Sequence, residues 1–211
     1  MKKITFILAL ILVCSHILLA QNPNENKKPR IALILSGGGA KGIAHIPVLQ
    51  MLDSLGIVPD LVVGNSMGSI VGGLYAMGYS GDSIAHIAKT ANWDNLIGGN
   101  VSLNNVSVEE KTEFGRYLVG MGAKDGKIKL TPFLLNDQNL RTFLADLTYP
   151  VYTNTNFDKL SIPFRAIATD IVNGKEVVLD KGGLAFAMRA SMSIPGAFIP
   201  VPYENTLLID G

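Results

Sequence analysis

The chain has 211 residues, of which 48% are hydrophobic and 17% are charged, and its formal net charge is +1. This length is enough for one domain with a sizeable core. A charge so close to zero provides no basic surface of the kind that attracts phosphate backbones, so we expect no nucleic-acid partner.

Residues 1–20 have the pattern of a secretory signal peptide. Two lysines precede an apolar stretch over residues 4–19, and Ala20 ends it with a small side chain. An uncleaved membrane anchor and lipid attachment at Cys14 are alternatives, although Val13 is larger than a lipid-attachment site normally tolerates. We therefore predict export, with the periplasm, the outer membrane or the extracellular space as the destination.

Cleavage of this segment would change the character of the chain. Loss of residues 1–20 removes two lysines and no acidic residue, which turns the net charge of +1 into −1. The only cysteine, Cys14, leaves with the segment, so the exported chain has no disulfide, thiol nucleophile or thiolate metal ligand. Residues 21–29 are polar and predict a disordered leader. The folded domain is predicted to comprise residues 30–211.

The first part of this domain predicts a parallel sheet. Residues 30–35 form a continuous apolar run, which is typical of a strand buried on both faces. A glycine-rich segment follows, then an amphipathic helix that Gly56 ends, then a second apolar run at residues 61–63. A strand–helix–strand order of this kind is a right-handed crossover unit, so the fold class is α/β.

The later elements are predicted from periodicity and turn residues. Helices are predicted over residues 66–77, 80–89, 138–147 (capped by Asp137) and 184–190. Strands are predicted over residues 114–119, 127–130, 164–169, 176–179 and 206–209. Hairpin turns are predicted at Lys124-Asp125-Gly126 and Asn173-Gly174, and an irregular stretch over residues 93–105. Because a natural domain seldom ends on the last residues of a core strand, we expect this domain to continue beyond Gly211.

The second strand leads into Gly64-x-Ser66-x-Gly68, the pattern of a nucleophile elbow. The strand-to-helix turn of an elbow is so sharp that the residues flanking the serine must be small. It exposes the serine hydroxyl at the carboxyl edge of the sheet, at the positive end of the following helix. We interpret Ser66 as a catalytic nucleophile; the alternative is a serine that only caps the helix.

The glycine-rich segment has three interpretations. Gly37-x-Gly39-x-x-Gly42 matches the dinucleotide-binding fingerprint, but that site needs an acid at the end of the second strand, and Asp60 stands at its beginning. The second is an oxyanion hole, in which the amides of Gly37, Gly38 and Gly39 stabilise the charge that forms when a serine attacks an ester. The third is a plain turn. We favour the oxyanion hole, with a dinucleotide-dependent oxidoreductase as the rival.

A serine nucleophile needs a base. A histidine in a hydrolase triad ordinarily follows the acid, whereas His45 and His86 precede every plausible acid, and we interpret both as structural or solvent-facing. Asp210 ends a predicted core strand and is our candidate for a carboxylate that acts directly on Ser66. Asp170, also at a strand end, is the reserve candidate.

Four segments in this order resemble the patatin-like phospholipases: Ser-Gly-Gly-Gly-Ala-Lys-Gly at 36–42, Gly-Asn-Ser-Met-Gly at 64–68, the Ser- and Pro-rich run at 190–200, and Asp-Gly at 210–211. The resemblance implies a three-layer α/β/α sandwich with a mainly parallel central sheet. It also implies a Ser66–Asp210 dyad without histidine, lipid acyl esters as substrates, and no metal or other cofactor. Asn65 departs from the family, which more often has threonine there.

We therefore predict a serine acyl hydrolase that cleaves fatty-acyl esters of phospholipids or related lipids at a membrane surface through an acyl-enzyme. Partial desolvation is expected to raise the basicity of Asp210. Ile194, Phe198 and Ile199 are candidates for an acyl groove; the alternative for them is core packing. A catalytically silent lipid- or partner-binding module on the same fold remains the alternative function. The sequence leaves open the lipid class, the acyl position and the oligomeric state.

Overall fold

The computed structural model describes residues 29–97, 120–124, 127–131 and 137–211. The chain divides into two units, Met1–Arg30 and Ile31–Gly211, and only Pro29 and Arg30 of the first are described. The predicted signal peptide and Cys14 lie outside the described residues, as does the leader except for Pro29, so these assignments stay predictions. Within the described ranges, no helix has the length and hydropathy needed to cross a bilayer.

Eight strands are described, six of which form one sheet and two a separate hairpin. The strands of the sheet are β1 (Ala32–Leu35), β2 (Leu61–Asn65), β5 (Phe164–Asp170), β6 (Lys175–Leu179), β7 (Val201–Tyr203) and β8 (Thr206–Asp210), and those of the hairpin are β3 (Gly120–Lys124) and β4 (Lys127–Thr131).

Six α-helices accompany these strands in the described part of the chain. They are α1 (His45–Leu55), α2 (Met67–Ala76), α3 (Gly81–Thr90), α4 (Trp93–Ile97), α5 (Gln138–Thr148) and α6 (Leu184–Ser191). Short 3₁₀ segments occur at Gly39–Ala44, Tyr149–Val151 and Phe157–Lys159. Helix α1 ends as predicted at Gly56, which adopts the left-handed conformation with a φ of 64°. Ser80 caps α3 by accepting the backbone N–H of Ser83.

The sheet is mixed, and its parallel part is the predicted crossover unit. Strands β1, β2 and β5 run parallel, whereas β6 and β8 each pair with β5 in the antiparallel direction, and β7 pairs with β8 in the same way. Helix α1 connects β1 to β2, and α2 begins the longer connection from β2 to β5. The α/β class expected from the sequence is therefore confirmed.

The register of β5 places β2 and β8 end to end. Strand β6 pairs with residues 166–170 of β5 and so occupies one of its two edges. Strand β2 pairs with residues 164–167 and β8 with residues 168–170, and both must therefore use the other edge. Their carboxyl ends meet there, since Asn65 is opposite Ile167 and Asp210 is opposite Ala168.

The core lies between the helices and one face of the sheet. Helix α2 packs so closely that a Cβ on Gly72 would come 2.9 Å from Val62 and 3.1 Å from Leu35. A Cβ on Gly73 would come 2.4 Å from the Met188 side chain of α6. Gly72 and Gly73 therefore allow α2 to pack closely against the sheet and α6. The largest fully buried side chains of this core include Phe157, Phe164, Leu49, Leu140, Leu144 and Met188.

The opposite face of the sheet carries apolar side chains that are less covered. Ile34 of β1 is 74% exposed and Val178 of β6 is 47% exposed, and the register places both on this face. The described helices pack on the core face of the sheet, which carries Val62 and Phe164, or against one another. The second helical layer expected for a three-layer sandwich is not among the described residues.

Several local predictions need correction or refinement. Strands β3 and β4 pair in the antiparallel direction, as the predicted hairpin requires, and the first strand is Gly120–Lys124. Its turn residues Asp125 and Gly126 and the predicted strand at residues 114–119 lie outside the described part. A short helix, α4, occupies part of the stretch expected to be irregular. Asp137 stands at the N-cap position of α5 without a side-chain capping bond, because its carboxylate binds two arginines instead.

Candidate active site

Ser66 occupies a strained turn between β2 and α2. Its φ of 52° and ψ of −122° lie in a region that residues other than glycine rarely adopt. Strain of this kind costs about 1–3 kcal/mol and persists only where the surroundings impose it. Here the Ser66 carbonyl accepts the backbone N–H of Ser69 at 2.9 Å and the Ser69 hydroxyl at 2.7 Å. The turn is the elbow that the sequence predicted.

The glycines on either side of Ser66 are sterically required. A Cβ on Gly64 would lie 2.4 Å from the carbonyl oxygen of Gly68. A Cβ on Gly68 would lie 2.2 Å from the carbonyl oxygen of Leu35 and 2.6 Å from that of Ser36. These are backbone atoms of β1 and the adjoining loop, so no side-chain rotation relieves the overlap. The elbow therefore brings the start of α2 directly against β1.

The Ser66 hydroxyl donates a hydrogen bond of 2.7 Å to Oδ2 of Asp210. The side chain makes no capping bond to α2, so the interpretation of Ser66 as a simple helix cap is wrong. The meeting of β2 and β8 along β5 brings the two residues together across 144 positions of sequence. The proximity was expected, but Asp210 arrives on an antiparallel strand rather than at the carboxyl end of a parallel one.

Burial raises the pKa of the Asp210 carboxyl above its ordinary value of 3.8. Hydrogen bonds from the Ser66 hydroxyl and from the Gly211 backbone act in the opposite direction, and desolvation outweighs them. The carboxylate is therefore a stronger base than an exposed aspartate. This is the direction that a direct proton transfer from serine requires.

Asn65 joins the ends of the two abutting strands. Its Nδ2 donates a hydrogen bond of 2.6 Å to the carbonyl oxygen of Gly211. Its Oδ1 is buried and has no hydrogen-bond partner among the described residues. A Cβ on Gly211 would lie 2.8 Å from that same Oδ1 and 2.8 Å from the carbonyl oxygen of Ile167. The glycine after Asp210 is therefore needed for the close approach of β8 to β2.

The glycine loop after β1 borders the nucleophile. A Cβ on Gly37 would lie 3.0 Å from Cβ of Ser66 and 3.7 Å from its Oγ. Gly38 and Gly39 have φ values of 139° and 54°, which favour glycine. Among the described residues, none accepts a hydrogen bond from the N–H of these three glycines. Gly37 thus borders Ser66 in a loop whose amides are not used by other described residues, an arrangement that suits an oxyanion hole.

The other candidate acids and bases have structural contacts. Asp170 accepts hydrogen bonds from the Thr206 hydroxyl, from the Asn173 side chain at 2.7 Å and from two backbone N–H groups. These contacts, that of Thr206 first, lower its pKa to about 2, so it is a poor base. His45 Nε2 lies 2.8 Å from the Ser36 carbonyl oxygen and so adjoins the glycine loop. His86 is exposed on α3.

Asp60 does not support a dinucleotide site. Its Oδ2 accepts the backbone N–H of Ile31 at 2.7 Å, which fixes it near the start of β1, away from the end of β2 where a ribose ligand would be needed. The described residues also contain no cluster of three or more His, Cys, Asp or Glu side chains suited to a metal ion.

The serines at the end of α6 contact both members of the dyad, a role that the sequence pattern did not indicate. The backbone N–H of Ser66 donates 2.9 Å to the hydroxyl of Ser191, and the backbone N–H of Asp210 donates 3.0 Å to the carbonyl of Ser193. Arg189, 4% exposed, forms a buried ion pair with Asp137. The segment 190–200 was singled out only for its resemblance, and helical periodicity gives no sign that these serines face the nucleophile.

The three candidates for an acyl groove differ in their exposure to solvent. Phe198 is 2% exposed, and Cζ of Arg189 lies 4.9 Å from the centre of its ring. Phe198 therefore belongs to the core and not to an open groove. Ile194 is half-buried and packs against the core. Ile199 is 50% exposed and is the candidate with the most surface to offer a lipid chain.

Comparison with known proteins shows the family of this chain. The model of the patatin-like phospholipase family matches residues 33–211. An uncharacterized NTE family protein of Mycobacterium bovis is 33% identical over 186 residues, which is 88% of this chain and 43% of that protein. Lysophospholipase NTE1 of Cryptococcus neoformans is 31% identical over 182 residues, 86% of this chain and 10% of that protein.

A solved structure provides a further match. The crystal structure of VipD from Legionella pneumophila superposes with a TM-score of 0.54 at 15% identity, over 87% of this chain and 46% of that one. At this identity the likeness concerns the fold alone. The chain spans less than half the length of each of these three proteins.

Proposed function

The chain belongs to the patatin-like phospholipase family, and from this premise we propose that it is a serine acyl hydrolase that cleaves fatty-acyl esters of phospholipids or related lipids. The observation that carries the proposal is the 2.7 Å hydrogen bond from the Ser66 hydroxyl to Asp210 at a strained elbow. The similarity to a fungal protein named a lysophospholipase supports a lipid ester as the substrate.

In the acylation half of the reaction, Asp210 takes the hydroxyl proton while Ser66 Oγ attacks the ester carbonyl carbon. The carbonyl oxygen becomes an oxyanion, and the amides of the loop at Gly37–Gly39 donate to it. One such donor is typically worth about 2.7–4 kcal/mol in the transition state. The tetrahedral intermediate then breaks the bond to the alcohol oxygen, which receives the proton from Asp210. The products are the free alcohol and an acyl ester of Ser66.

In the deacylation half, Asp210 takes a proton from water, and the resulting hydroxide attacks the acyl carbon. The second tetrahedral intermediate expels the Ser66 oxygen, which recovers the proton from Asp210. Fatty acid leaves, and the starting hydrogen bond is restored. No histidine is needed, because the same carboxyl group transfers the proton in both halves and its pKa is raised by burial.

We also propose that the predicted signal peptide directs export and that the enzyme acts at a membrane surface. The proposal rests on the sequence pattern of residues 1–20 and on the lipid substrate class. Ile199, exposed beside the segment that follows α6, is a candidate contact for an acyl chain. Cell fractionation of a tagged protein tests the location, and retention in the cytoplasm would contradict it.

The activity is tested by hydrolysis of a fluorogenic acyl ester and of phospholipid vesicles by the purified protein. Ser66→Ala and Asp210→Asn should each lower kcat by about 10⁴-fold or more. Ser54→Ala, which removes an exposed hydroxyl at the end of α1, is the matched control and should retain full activity. If the wild type and Ser66→Ala are equally inactive while both bind lipid, the chain is a binding module and the enzyme proposal fails.

A further inference from the structure

The two dyad residues are both hydrogen-bonded to one short segment at the end of α6. The backbone N–H of Ser66 donates to the Ser191 hydroxyl at 2.9 Å. The backbone N–H of Asp210 donates to the Ser193 carbonyl at 3.0 Å. The two acceptors are only two residues apart in the chain, so they are separated by at most about 7 Å of extended backbone. One short segment thus holds both halves of the dyad.

We propose that residues 189–193 form a bridge that sets the distance between Ser66 and Asp210, with Ser191 and Arg189 as positioning residues. The inference rests on the proposed function, since it assigns the bridge a role in the same reaction. Neither residue touches the reacting atoms. Ser191 acts on the backbone of the nucleophile, and Arg189 acts on Asp210 through Ser193.

Hydrogen bonds within α6 and the bridge restrict the conformation of the bridge. Its backbone continues α6, with Met192 N–H donating to the Met188 carbonyl at 3.2 Å and Ser193 N–H to the Ala190 carbonyl at 3.2 Å. The Ser193 hydroxyl donates to the Arg189 carbonyl at 2.9 Å. A segment with this many internal bonds has little freedom to change the spacing of its two acceptors.

Arg189 connects the bridge to the rest of the core. Its Nε donates to Oδ2 of Asp137 at 2.6 Å, Nη1 donates to the Ser193 hydroxyl, and Nη2 donates to the Ile199 carbonyl at 3.2 Å. All three guanidinium nitrogens are therefore used, and the planar fork fixes the directions of the three bonds. The carboxylate of Asp137 balances the charge, so Arg189 is placed to orient Ser193 rather than to stabilise an anion.

Stability alone is a weak reason for this arrangement. The desolvation free energy of a buried ion pair is about as large as the favourable attraction between its two charges. Buried ion pairs can therefore often be replaced by apolar residues without loss of stability. Although burial alone would raise the pKa of Asp137, hydrogen bonds from Arg141 and Arg189 keep it lowered. A buried, fully bonded pair next to the dyad therefore fits a role in orientation.

The test compares Ser191→Ala with Ser69→Ala. Both remove a fully buried hydroxyl that bonds to the backbone of Ser66, but only Ser191 belongs to the bridge. Two quantities are measured on each purified protein: kcat and KM for a fluorogenic acyl ester, and the pKa of Asp210 from ¹³C-carboxyl NMR. The NMR measurement is independent of turnover, so it tests the bridge even if the wild type is inactive.

The bridge predicts a specific signature for Ser191→Ala. kcat should fall by about ten- to a hundredfold with KM within about twofold, because a displaced nucleophile reacts slowly but still faces bound substrate. The pKa of Asp210 should rise further, because the Ser66 hydrogen bond that lowers it is weakened. Ser69→Ala should leave the Asp210 titration at its wild-type position, since the Ser66 carbonyl keeps the Ser69 N–H.

Arg189→Lys is the second variant. It keeps a positive charge opposite Asp137 but cannot donate to three acceptors in fixed directions, so it should show the same fall in kcat and rise in the Asp210 pKa. If Ser191→Ala and Arg189→Lys fold and match the wild type in both quantities, the bridge is overturned. Loss of activity in Ser66→Ala together with that result leaves the proposed function standing and rejects only the bridge.

Discussion

Gly37→Ala is the most sensitive perturbation of the site that leaves its chemistry intact. The added Cβ would lie 3.0 Å from Cβ of Ser66, whereas carbon atoms prefer a separation of about 3.5–4.0 Å. Ser66 or the loop must therefore shift by about half an ångström. A misplacement of 1 Å can lower the rate by about 10²-fold. A displacement of half that size therefore predicts about a tenfold loss in kcat, which corresponds to about 1.4 kcal/mol in activation free energy.

The same substitution should change stability little. Gly37 has no positive φ, so alanine is not strained by the backbone there and gains about 0.4–1 kcal/mol by restricting the unfolded chain. Overpacking costs about 1–3 kcal/mol, and at a 3.0 Å contact the lower end applies. The two effects nearly cancel, and the thermal midpoint should move by only a few degrees.

The assay is steady-state hydrolysis of an acyl ester together with a thermal unfolding curve for each variant. Gly183→Ala is the matched control, because its Cβ would make an ordinary contact of 3.6 Å with Phe186 and its φ is −76°. It should keep the wild-type kcat. A folded Gly37→Ala protein with undiminished kcat would show that the glycine loop does not constrain the nucleophile, and the argument from this contact would be lost.

Four further predictions concern pH and packing. Because burial raises the pKa of Asp210, kcat/KM should fall in acid through a midpoint above 3.8, and a profile that is flat down to that pH would contradict the assignment of the base. The raised pKa also means that ionising Asp210 destabilises the fold as pH rises, so Asp210→Asn should have a urea midpoint no lower than the wild type at pH 7. Asp170 has the opposite sign: its pKa falls from 3.8 to about 2, so its stabilisation is full above pH 3.8 and is lost as pH drops toward 2. Asp170→Asn should therefore lower the urea midpoint at neutral pH and not at pH 2. Gly68→Ala should destabilise by more than about 3 kcal/mol, since its Cβ meets the Leu35 carbonyl at 2.2 Å, and a soluble variant with wild-type stability would refute the tight elbow.

Local sequence patterns were sufficient for the elbow. Gly64 and Gly68 flank Ser66 between an apolar run and a helix, and each of these features depends only on neighbouring residues. The structure has the same strand, turn and helix, with boundaries that differ by one or two residues. Helix α1 and its end at Gly56 were predictable for the same reason.

The direction of β8 was not predictable from the sequence. An apolar strand of five residues has the same pattern whether it runs parallel or antiparallel to its neighbour, so the sequence left the direction of β8 open. Asp210 reaches Ser66 because β8 enters from beyond the carboxyl edge of the parallel strands and ends beside β2. The proximity of the two residues was predictable, and the antiparallel approach of β8 was not.

Polar contacts between residues far apart in the sequence were not predictable either. Asp137 precedes a helical pattern and looks like an N-cap, and Arg189 looks like an ordinary charged position of a short helix. Their ion pair joins residues 52 positions apart, which periodicity does not reveal. Asp170 was a plausible base for the same reason, since only the folded chain brings the Thr206 hydroxyl to it.

The end-to-end meeting of β2 and β8 explains how a carboxylate can serve as the base without a histidine. An imidazole ring extends the reach of an acid to a serine, so a triad can assemble from strands that do not touch. Here Asn65 and Asp210 are opposite adjacent residues of β5, and the carboxylate reaches the hydroxyl directly at 2.7 Å. The same closeness shields Asp210 from water and raises its pKa, so the strand arrangement that shortens the distance also makes the base strong enough. Because Asp210 belongs to β8, a partly folded chain in which this strand is not paired with β5 would contain the elbow but no base.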